Sequence, residues 1–104
     1  MTKTRTSTRY RRRFRVTIGA SPVFTLDLGA GGFSAELMRV PAAGSSVSGA
    51  IQLNGSEVPY AGEVAWAKPG DSRLGLRGRI GVRFTHLAPE VRRLFDSPAF
   101  KQVT

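Results

Sequence analysis

The amino-acid sequence predicts an all-β domain with a C-terminal helix, built as a six-stranded antiparallel β-barrel. Three observations predict this architecture. Six short segments alternate apolar and polar side chains, which is the period of a half-buried strand. Turn-forming residues separate these segments at the short spacing of hairpins. The last patterned segment changes to a helical period, and 104 residues allow one modest core.

The alternation also predicts which strand residues face the core. The strand patterns cover residues 13–18, 23–28, 33–39, 47–53, 57–67 and 79–84. In the second strand we expect Phe24, Leu26 and Leu28 to point inward and Asp27 to point outward. In the fifth strand the same rule places Trp66 inward. The sequence therefore predicts Asp27 on the barrel surface and Trp66 in its core.

Local signals define the turns and the helix. Asn54-Gly55 between two strand patterns is the strongest hairpin signal in the chain. Pro89 suits the first position of a helix, and an apolar face follows it. That face consists of Val91, Leu94 and Phe95. Arg92 and Arg93 are expected to be solvated.

The net charge of +9 is concentrated at the N-terminus. Residues 1–16 hold seven basic and no acidic residues, whereas residues 17–104 hold nine basic and seven acidic ones. We expect a flexible basic arm over residues 1–8, a folded barrel domain over residues 9–98 and a tail over residues 99–104. Such a concentration of positive charge is expected to attract a phosphate ligand or a polyanion.

Composition argues against several functional classes. The chain has no cysteine, so it can form neither a disulfide nor a thiolate zinc site, and its composition suits a reducing cytoplasm. His86 is the single histidine and has no nucleophile beside it, so we expect a surface or packing role. We therefore predict no enzyme, no catalytic residue, no metal site and no cofactor. No apolar run approaches the roughly 20 residues of a membrane span.

Two motifs favour the binding of an anionic guanine nucleotide. The first is the arginine run Arg11-Arg12-Arg13-Phe14-Arg15, and the second is the glycine-rich turn Asp27-Leu28-Gly29-Ala30-Gly31-Gly32. Guanidinium pairs bidentately with phosphate oxygens and matches the O6/N7 edge of guanine. A carboxylate complements the N1–H and N2–H₂ donors on the other edge of guanine.

In this order the two motifs resemble those of the PilZ domain family. Its members carry Arg-x-x-x-Arg followed by (Asp/Asn)-x-Ser-x-x-Gly on a six-stranded barrel with a C-terminal helix. The second motif of this chain matches except at Gly29, where the family has serine. Gly62-Glu63-Val64-Ala65-Trp66 and Gly81-Val82-Arg83-Phe84 are also similar to later strands of the family. The resemblance covers roughly residues 9–96.

The resemblance implies a receptor for cyclic di-GMP, a bacterial second messenger, that acts on a partner protein. Arg11 and Arg15 would grip the phosphates and stack on or bond to guanine, with Arg12 in support. Asp27 would contact guanine, and Gly32 would permit the turn.

Two departures from the family pattern bear on the ligand. Gly29 lacks the hydroxyl of the family's serine, and one lost hydrogen bond costs about 1–3 kcal/mol, or roughly 10- to 100-fold in affinity. Only eleven residues separate Arg15 from Asp27, so the first hairpin is shorter than the family pattern.

Two alternatives remain open. In the first, a degenerate PilZ adaptor regulates motility or polarity through an unidentified protein partner, without cyclic di-GMP. In the second, a basic barrel binds single-stranded nucleic acid, and Tyr10 and Phe14 stack on bases. The second is less favoured, because the excess of basic charge is concentrated in residues 1–16 and few strand positions present an aromatic side chain.

Overall fold

The computed structural model of the protein describes residues 9–10, 13–53 and 55–95. These residues form seven strands, a short 3-10 turn and one helix: β1 Arg9–Tyr10, β2 Arg15–Ile18, β3 Ser21–Gly29, β4 Gly32–Leu37, β5 Ser46–Leu53, β6 Ser56–Lys68, the 3-10 turn Ser72–Leu74, β7 Gly78–Leu87 and α1 Pro89–Phe95. The predicted arm (residues 1–8) and tail (residues 99–104), and with them Arg11 and Arg12, lie outside the described residues.

Strands β2 to β7 close into a barrel. They pair antiparallel in the order β3-β2-β5-β6-β7-β4, and β4 pairs back onto β3. This confirms the prediction of a six-stranded antiparallel barrel followed by a helix. The two-residue strand β1 is an addition that the sequence pattern did not predict, and it pairs with the end of β3 at Leu28 and Gly29.

The Asn54-Gly55 hairpin is confirmed by the pairing on either side of it. Leu53 is the partner of Ser56, so β5 and β6 pair on either side of the predicted turn, while Asn54 itself lies outside the described residues. Gly55 has a φ of 82°, a backbone conformation that such hairpin turns require and that glycine adopts readily.

A bulge in β3 overturns part of the predicted orientation. Thr25 is fully buried, whereas Phe24 is 49% exposed and Leu26 36% exposed. The register between β3 and β4 shifts between Thr25 and Asp27, so one extra residue enters the strand there. A bulge places two consecutive residues on the same side, and here both Leu26 and Asp27 face outward. The inward prediction for Phe24 and Leu26 was therefore wrong, and that for Leu28 was right.

A second bulge, in β6, moves Trp66 out of the predicted core. The register between β6 and β7 shifts between Val64 and Trp66. Val64 is buried, Ala65 and Trp66 are exposed, and Ala67 returns to pack against the core. Trp66 is 44% exposed, so its inward prediction was wrong.

The barrel core contains a cluster of three aromatic rings. Phe33 lies 5.5 Å from Tyr60 and 6.0 Å from Phe84, and the latter two lie 5.7 Å apart, measured between ring centroids. The Tyr60 hydroxyl donates a hydrogen bond to the backbone oxygen of Thr17 at 2.9 Å, and burial raises the pKa of Tyr60. Helix α1 adds Phe95, which is fully buried. Within the described ranges no helix is long and apolar enough to cross a membrane.

Candidate functional site

The structure brings four of the predicted site residues onto three strands that lie side by side. Arg15 begins β2, Asp27 and Gly29 lie in β3, and Gly32 begins β4. The other two predicted residues, Arg11 and Arg12, fall outside the part of the chain that the structure describes.

Arg15 and Asp27 lie on the same outer face of the barrel. Each is next to a fully buried residue of its own strand, Val16 and Leu28, so each side chain points away from the core. The register pairs Arg15 with Phe24, three residues before Asp27 along β3. At about 3.4 Å per residue the offset along the strand is roughly 10 Å. A ligand of nucleotide size laid along β3 would span this distance.

Asp27 is held in place by the neighbouring strand. One carboxylate oxygen accepts a hydrogen bond from the backbone nitrogen of Ser34 at 3.2 Å, and the carboxylate is half-buried. The bulge between Thr25 and Asp27 turns this side chain toward the outer face. The local backbone therefore presents a fixed carboxylate at the surface, which suits recognition of N–H donors.

The glycine-rich turn is fixed by contacts on two sides. Gly29 pairs with Gly32 across the two-residue turn Ala30-Gly31. The backbone nitrogen of Phe84 donates to the Gly31 oxygen at 2.9 Å. The turn is thus tied to β7, on the far side of β4.

Close approach of β7 explains why position 32 is a glycine. A Cβ on Gly32 would lie 1.9 Å from the backbone oxygen of Val82, a separation that atoms do not tolerate. The φ of Gly32 lies outside the left-handed region, so backbone conformation alone does not demand glycine.

Helix α1 supplies the second contact with the turn. One guanidinium nitrogen of Arg92 donates to the Ala30 oxygen at 3.0 Å. The sequence-based expectation that Arg92 is solvated was therefore wrong, whereas Arg93 is exposed as expected. This contact joins residues 62 positions apart, which the local sequence pattern cannot reveal.

We predict that Arg92→Ala lowers the free energy of unfolding by about 1–3 kcal/mol, because it leaves the Ala30 carbonyl without a charged donor. Urea unfolding followed by circular dichroism measures this change. The matched control is Arg93→Ala, for which we expect a change within about 0.5 kcal/mol, since that side chain is exposed. Equal losses in the two variants would contradict the assigned role of Arg92.

A shallow groove of about 540 Å³ surrounds Asp27. It is lined by Leu26, Asp27, Ser34, Trp66 and Arg79. These residues come from four adjacent strands, and both bulges contribute to it. The groove therefore combines a carboxylate, a guanidinium and an exposed indole within one small surface.

Trp66 lies over the backbone of β7 next to this carboxylate. A Cβ on Gly81 would lie 2.2 Å from the indole nitrogen of Trp66, so the ring occupies space that only a glycine leaves open. Ser34 is the register partner of Gly81. Its neighbours in β4 point into the core, so Ser34 points outward, and yet it is only 5% exposed. Trp66 is thus positioned against the sheet with part of its ring exposed, an arrangement suited to stacking on a planar group.

Sequence reasoning missed Trp66 and Ser34 as parts of the site. Strict period-two alternation predicts Trp66 inside, because no residue in β6 marks the bulge. Arg79 points outward and forms an ion pair with Glu36 at 3.2 Å. His86, predicted at the surface or in packing, is exposed.

Comparisons with known proteins agree with this architecture. The family model of the PilZ domain matches residues 3–97. No curated protein sequence matches the chain. A solved structure of the Bacillus subtilis inhibitor of motility, MotI/DgrA, is similar, with a TM-score of 0.77 and 14% sequence identity over 90% of this chain and 48% of that chain. The chain thus spans about half the length of that protein, and the likeness concerns the fold. Because the PilZ model covers nearly the whole sequence, the protein belongs to the PilZ domain family, whose members are regulatory binding domains.

Proposed function

We propose that this PilZ regulatory protein binds cyclic di-GMP on the outer face of β2, β3 and β4 and acts on a partner protein. The observation that carries the proposal is the fixed carboxylate of Asp27, which shares an outer face with Arg15 and a groove with Trp66. A cyclic dinucleotide has two phosphates and two guanines, so it needs cations, a carboxylate and a flat apolar surface together.

The phosphates are assigned to the arginines. Arg15 is exposed at the start of β2, where its guanidinium can form bidentate hydrogen bonds with a phosphate. Tyr10 of β1 pairs with Leu28, the residue after Asp27, and Arg11 is the next residue in the chain. This pairing supports assigning Arg11 to the same ligand, with Arg12 in support.

One guanine is assigned to Asp27 and Trp66. A carboxylate accepts hydrogen bonds from the N1–H and N2–H₂ groups of guanine, which distinguishes guanine from adenine. An exposed indole offers an apolar face on which a base stacks, an interaction worth about 1–3 kcal/mol per base. Trp66 lies in the groove that contains Asp27, so both interactions could act on a single base.

Isothermal titration with cyclic di-GMP at near-physiological salt tests the proposal, and GTP is the control ligand. We expect a saturable response to cyclic di-GMP and none of comparable affinity to GTP, because GTP lacks the second guanine and the cyclic arrangement of two separate phosphates. A flat trace from folded protein would refute cyclic di-GMP binding.

We predict that Gly29→Ser strengthens cyclic di-GMP binding about 10- to 100-fold, because it restores the hydroxyl of the family motif. Alternation along β3 places position 29 on the same side of the strand as Asp27, where Gly29 itself is buried, and Gly29 is not among the glycines with positive φ. Isothermal titration compares the two proteins. Ala20→Ser, in the exposed turn between β2 and β3, is the control and should leave the affinity unchanged. Unchanged or weaker binding by Gly29→Ser would contradict this role of the hydroxyl.

A second candidate function is favoured by the same Gly29 departure. A PilZ adaptor without a nucleotide ligand would have no need for that serine and would act through its protein partner alone. It predicts no response to cyclic di-GMP in either the native protein or Gly29→Ser. Binding of cyclic di-GMP by the Gly29→Ser protein but not by the native protein would indicate a receptor site that the native glycine at position 29 has inactivated.

A further inference from the structure

Beyond the nucleotide site, the barrel surface carries a second groove where two strands separate. Residues 21–24 of β3 pair with β2, and β3 pairs with β4 only from Thr25 onward. The end of β4, at Glu36 and Leu37, pairs with β7. The separation leaves a groove of about 610 Å³ between the first half of β3 and the end of β4. We call it the β3–β4 groove.

The β3–β4 groove collects exposed apolar side chains. Phe24, Leu26 and Met38 line it, with exposures of 49%, 36% and 64%. Phe24 and Leu26 face outward because of the phase of β3 and its bulge. Keeping such side chains in water costs about 25 cal/mol for each Å² of apolar surface. Clustered rather than scattered exposure of this kind is typical of an interaction site.

Three arginines surround the groove: Arg13, Arg39 and Arg77. All three are exposed, and none forms an ion pair with a carboxylate of the described residues. Arg13 lies over the ring of Phe24, with its guanidinium carbon 4.7 Å from the ring centroid. The acidic residue that lines the groove, Glu36, is already paired with Arg79 at 3.2 Å. The groove therefore lacks the negative charge that would balance its rim.

The combination of an apolar floor and a cationic rim indicates which kind of partner fits the β3–β4 groove. A second copy of the chain carries a net charge of +9, so it lacks the excess of carboxylates that would complement this rim. A flat lipid surface would meet the rim but would not fill a recessed groove. A nucleic acid would find Phe24 as the one aromatic residue of the lining, and Arg13 already covers that ring. A peptide with both carboxylates and large apolar side chains matches floor and rim together.

We infer that the β3–β4 groove binds an acidic amphipathic segment of a partner protein. Its apolar side chains pack on Phe24, Leu26 and Met38, and its carboxylates pair with the arginines of the rim. The inference rests on the proposed function in one respect, since it says where on the barrel the proposed partner protein binds and which types of side chain the partner contributes. Leu26 also lines the groove that contains Asp27, and Phe24 is the register partner of Arg15, so the partner and nucleotide surfaces overlap at these two residues.

Selection of random short peptides displayed on phage against the full chain, without nucleotide, tests the inference. We expect the enriched peptides to combine Asp or Glu with Leu, Phe or Met. Fluorescence anisotropy with a selected peptide should show binding that Met38→Glu weakens about tenfold or more. The matched control is Leu74→Glu, an equally conspicuous apolar residue that is 70% exposed and does not line this groove. The Leu74→Glu protein should bind the peptide with the affinity of the native protein.

Several results would overturn the inference. These are the absence of any enriched peptide, enrichment of basic or acid-free peptides, and binding that survives Met38→Glu. Binding to phosphatidylglycerol vesicles or to single-stranded RNA that Met38→Glu abolishes would assign the groove to those partners instead. A parallel titration with cyclic di-GMP separates the two proposals. The Met38→Glu protein should still bind cyclic di-GMP. Loss of peptide binding in this variant therefore tests the β3–β4 groove, whereas absence of cyclic di-GMP binding in the native protein refutes the proposed nucleotide site.

Discussion

Replacing Arg15 by alanine should weaken cyclic di-GMP binding roughly a hundredfold or more while leaving the melting temperature nearly unchanged. A bidentate pair between guanidinium and phosphate consists of two charge-assisted hydrogen bonds, each worth about 1.5–3 kcal/mol. Loss of both corresponds to at least about 3 kcal/mol, and each 1.4 kcal/mol is about a factor of ten. Isothermal titration measures the affinity, and circular dichroism melting measures the stability.

The stability should hold because the Arg15 side chain contributes little to the fold. It is exposed, and Val16 beside it carries the packing of β2 against the core. Arg15 forms no ion pair with the acidic residues of the described ranges. Truncation of such a surface side chain usually changes stability by less than about 0.5 kcal/mol.

Two further variants distinguish a specific contact from general attraction by charge. Arg15→Lys retains the charge but loses the planar fork, so we expect an affinity between those of the native protein and Arg15→Ala. Arg73→Ala removes one positive charge from a side chain that is 91% exposed in the 3-10 turn, away from β2. It should bind like the native protein. Equal losses in Arg15→Ala and Arg73→Ala would reduce the role of Arg15 to long-range electrostatics.

The barrel could be predicted from the sequence because its strands obey local rules almost throughout. Alternation located all six barrel strands, and the glycine at position 55 specified the hairpin between β5 and β6. Both rules act over a few residues, so one sequence suffices to apply them. The short strand β1 escaped prediction because two residues are too few to show a period.

The candidate site could be predicted only in part, because bulges determine which side chains reach it. The motif identified Asp27, and the structure gives its carboxylate a fixed partner in the backbone of Ser34. Trp66 was assigned to the core, since a bulge shifts the phase of alternation by one residue and the composition of β6 contains no sign of it. The contact from Arg92 to the turn was missed for a different reason, since it depends on how α1 packs against the barrel.

The same bulge in β3 links the two proposed binding surfaces. The bulge turns Leu26 and Asp27 to the same side of the strand. Asp27 then lines the groove beside Trp66, and Leu26 lines both that groove and the β3–β4 groove. A strand of regular phase would place one of these two residues inside the barrel. Ligands bound in the two grooves would therefore meet at Leu26.

Replacing Gly32 by alanine should destabilise the protein by about 3 kcal/mol or more, at the upper end of what overpacking costs. The added Cβ would lie 1.9 Å from the backbone oxygen of Val82, so one strand must move. Val82 is fully buried and pairs with β4 on one side and β6 on the other, so β7 cannot yield without disturbing the core. Urea unfolding should show a lower midpoint or no folded baseline at all.

Gly19→Ala is the matched control, because it replaces a glycine for which space is not the constraint. A Cβ there meets nothing within 4 Å, and the φ of 62° limits the cost to about 1–2 kcal/mol. Equal destabilisation by the two variants would mean that β4 and β7 can separate to accept a methyl group. The more informative contrary result would be a Gly32→Ala protein of native stability that no longer binds cyclic di-GMP. Gly32 would then act in ligand contact, whereas the packing of β4 against β7 predicts that loss of binding in this variant follows loss of the fold.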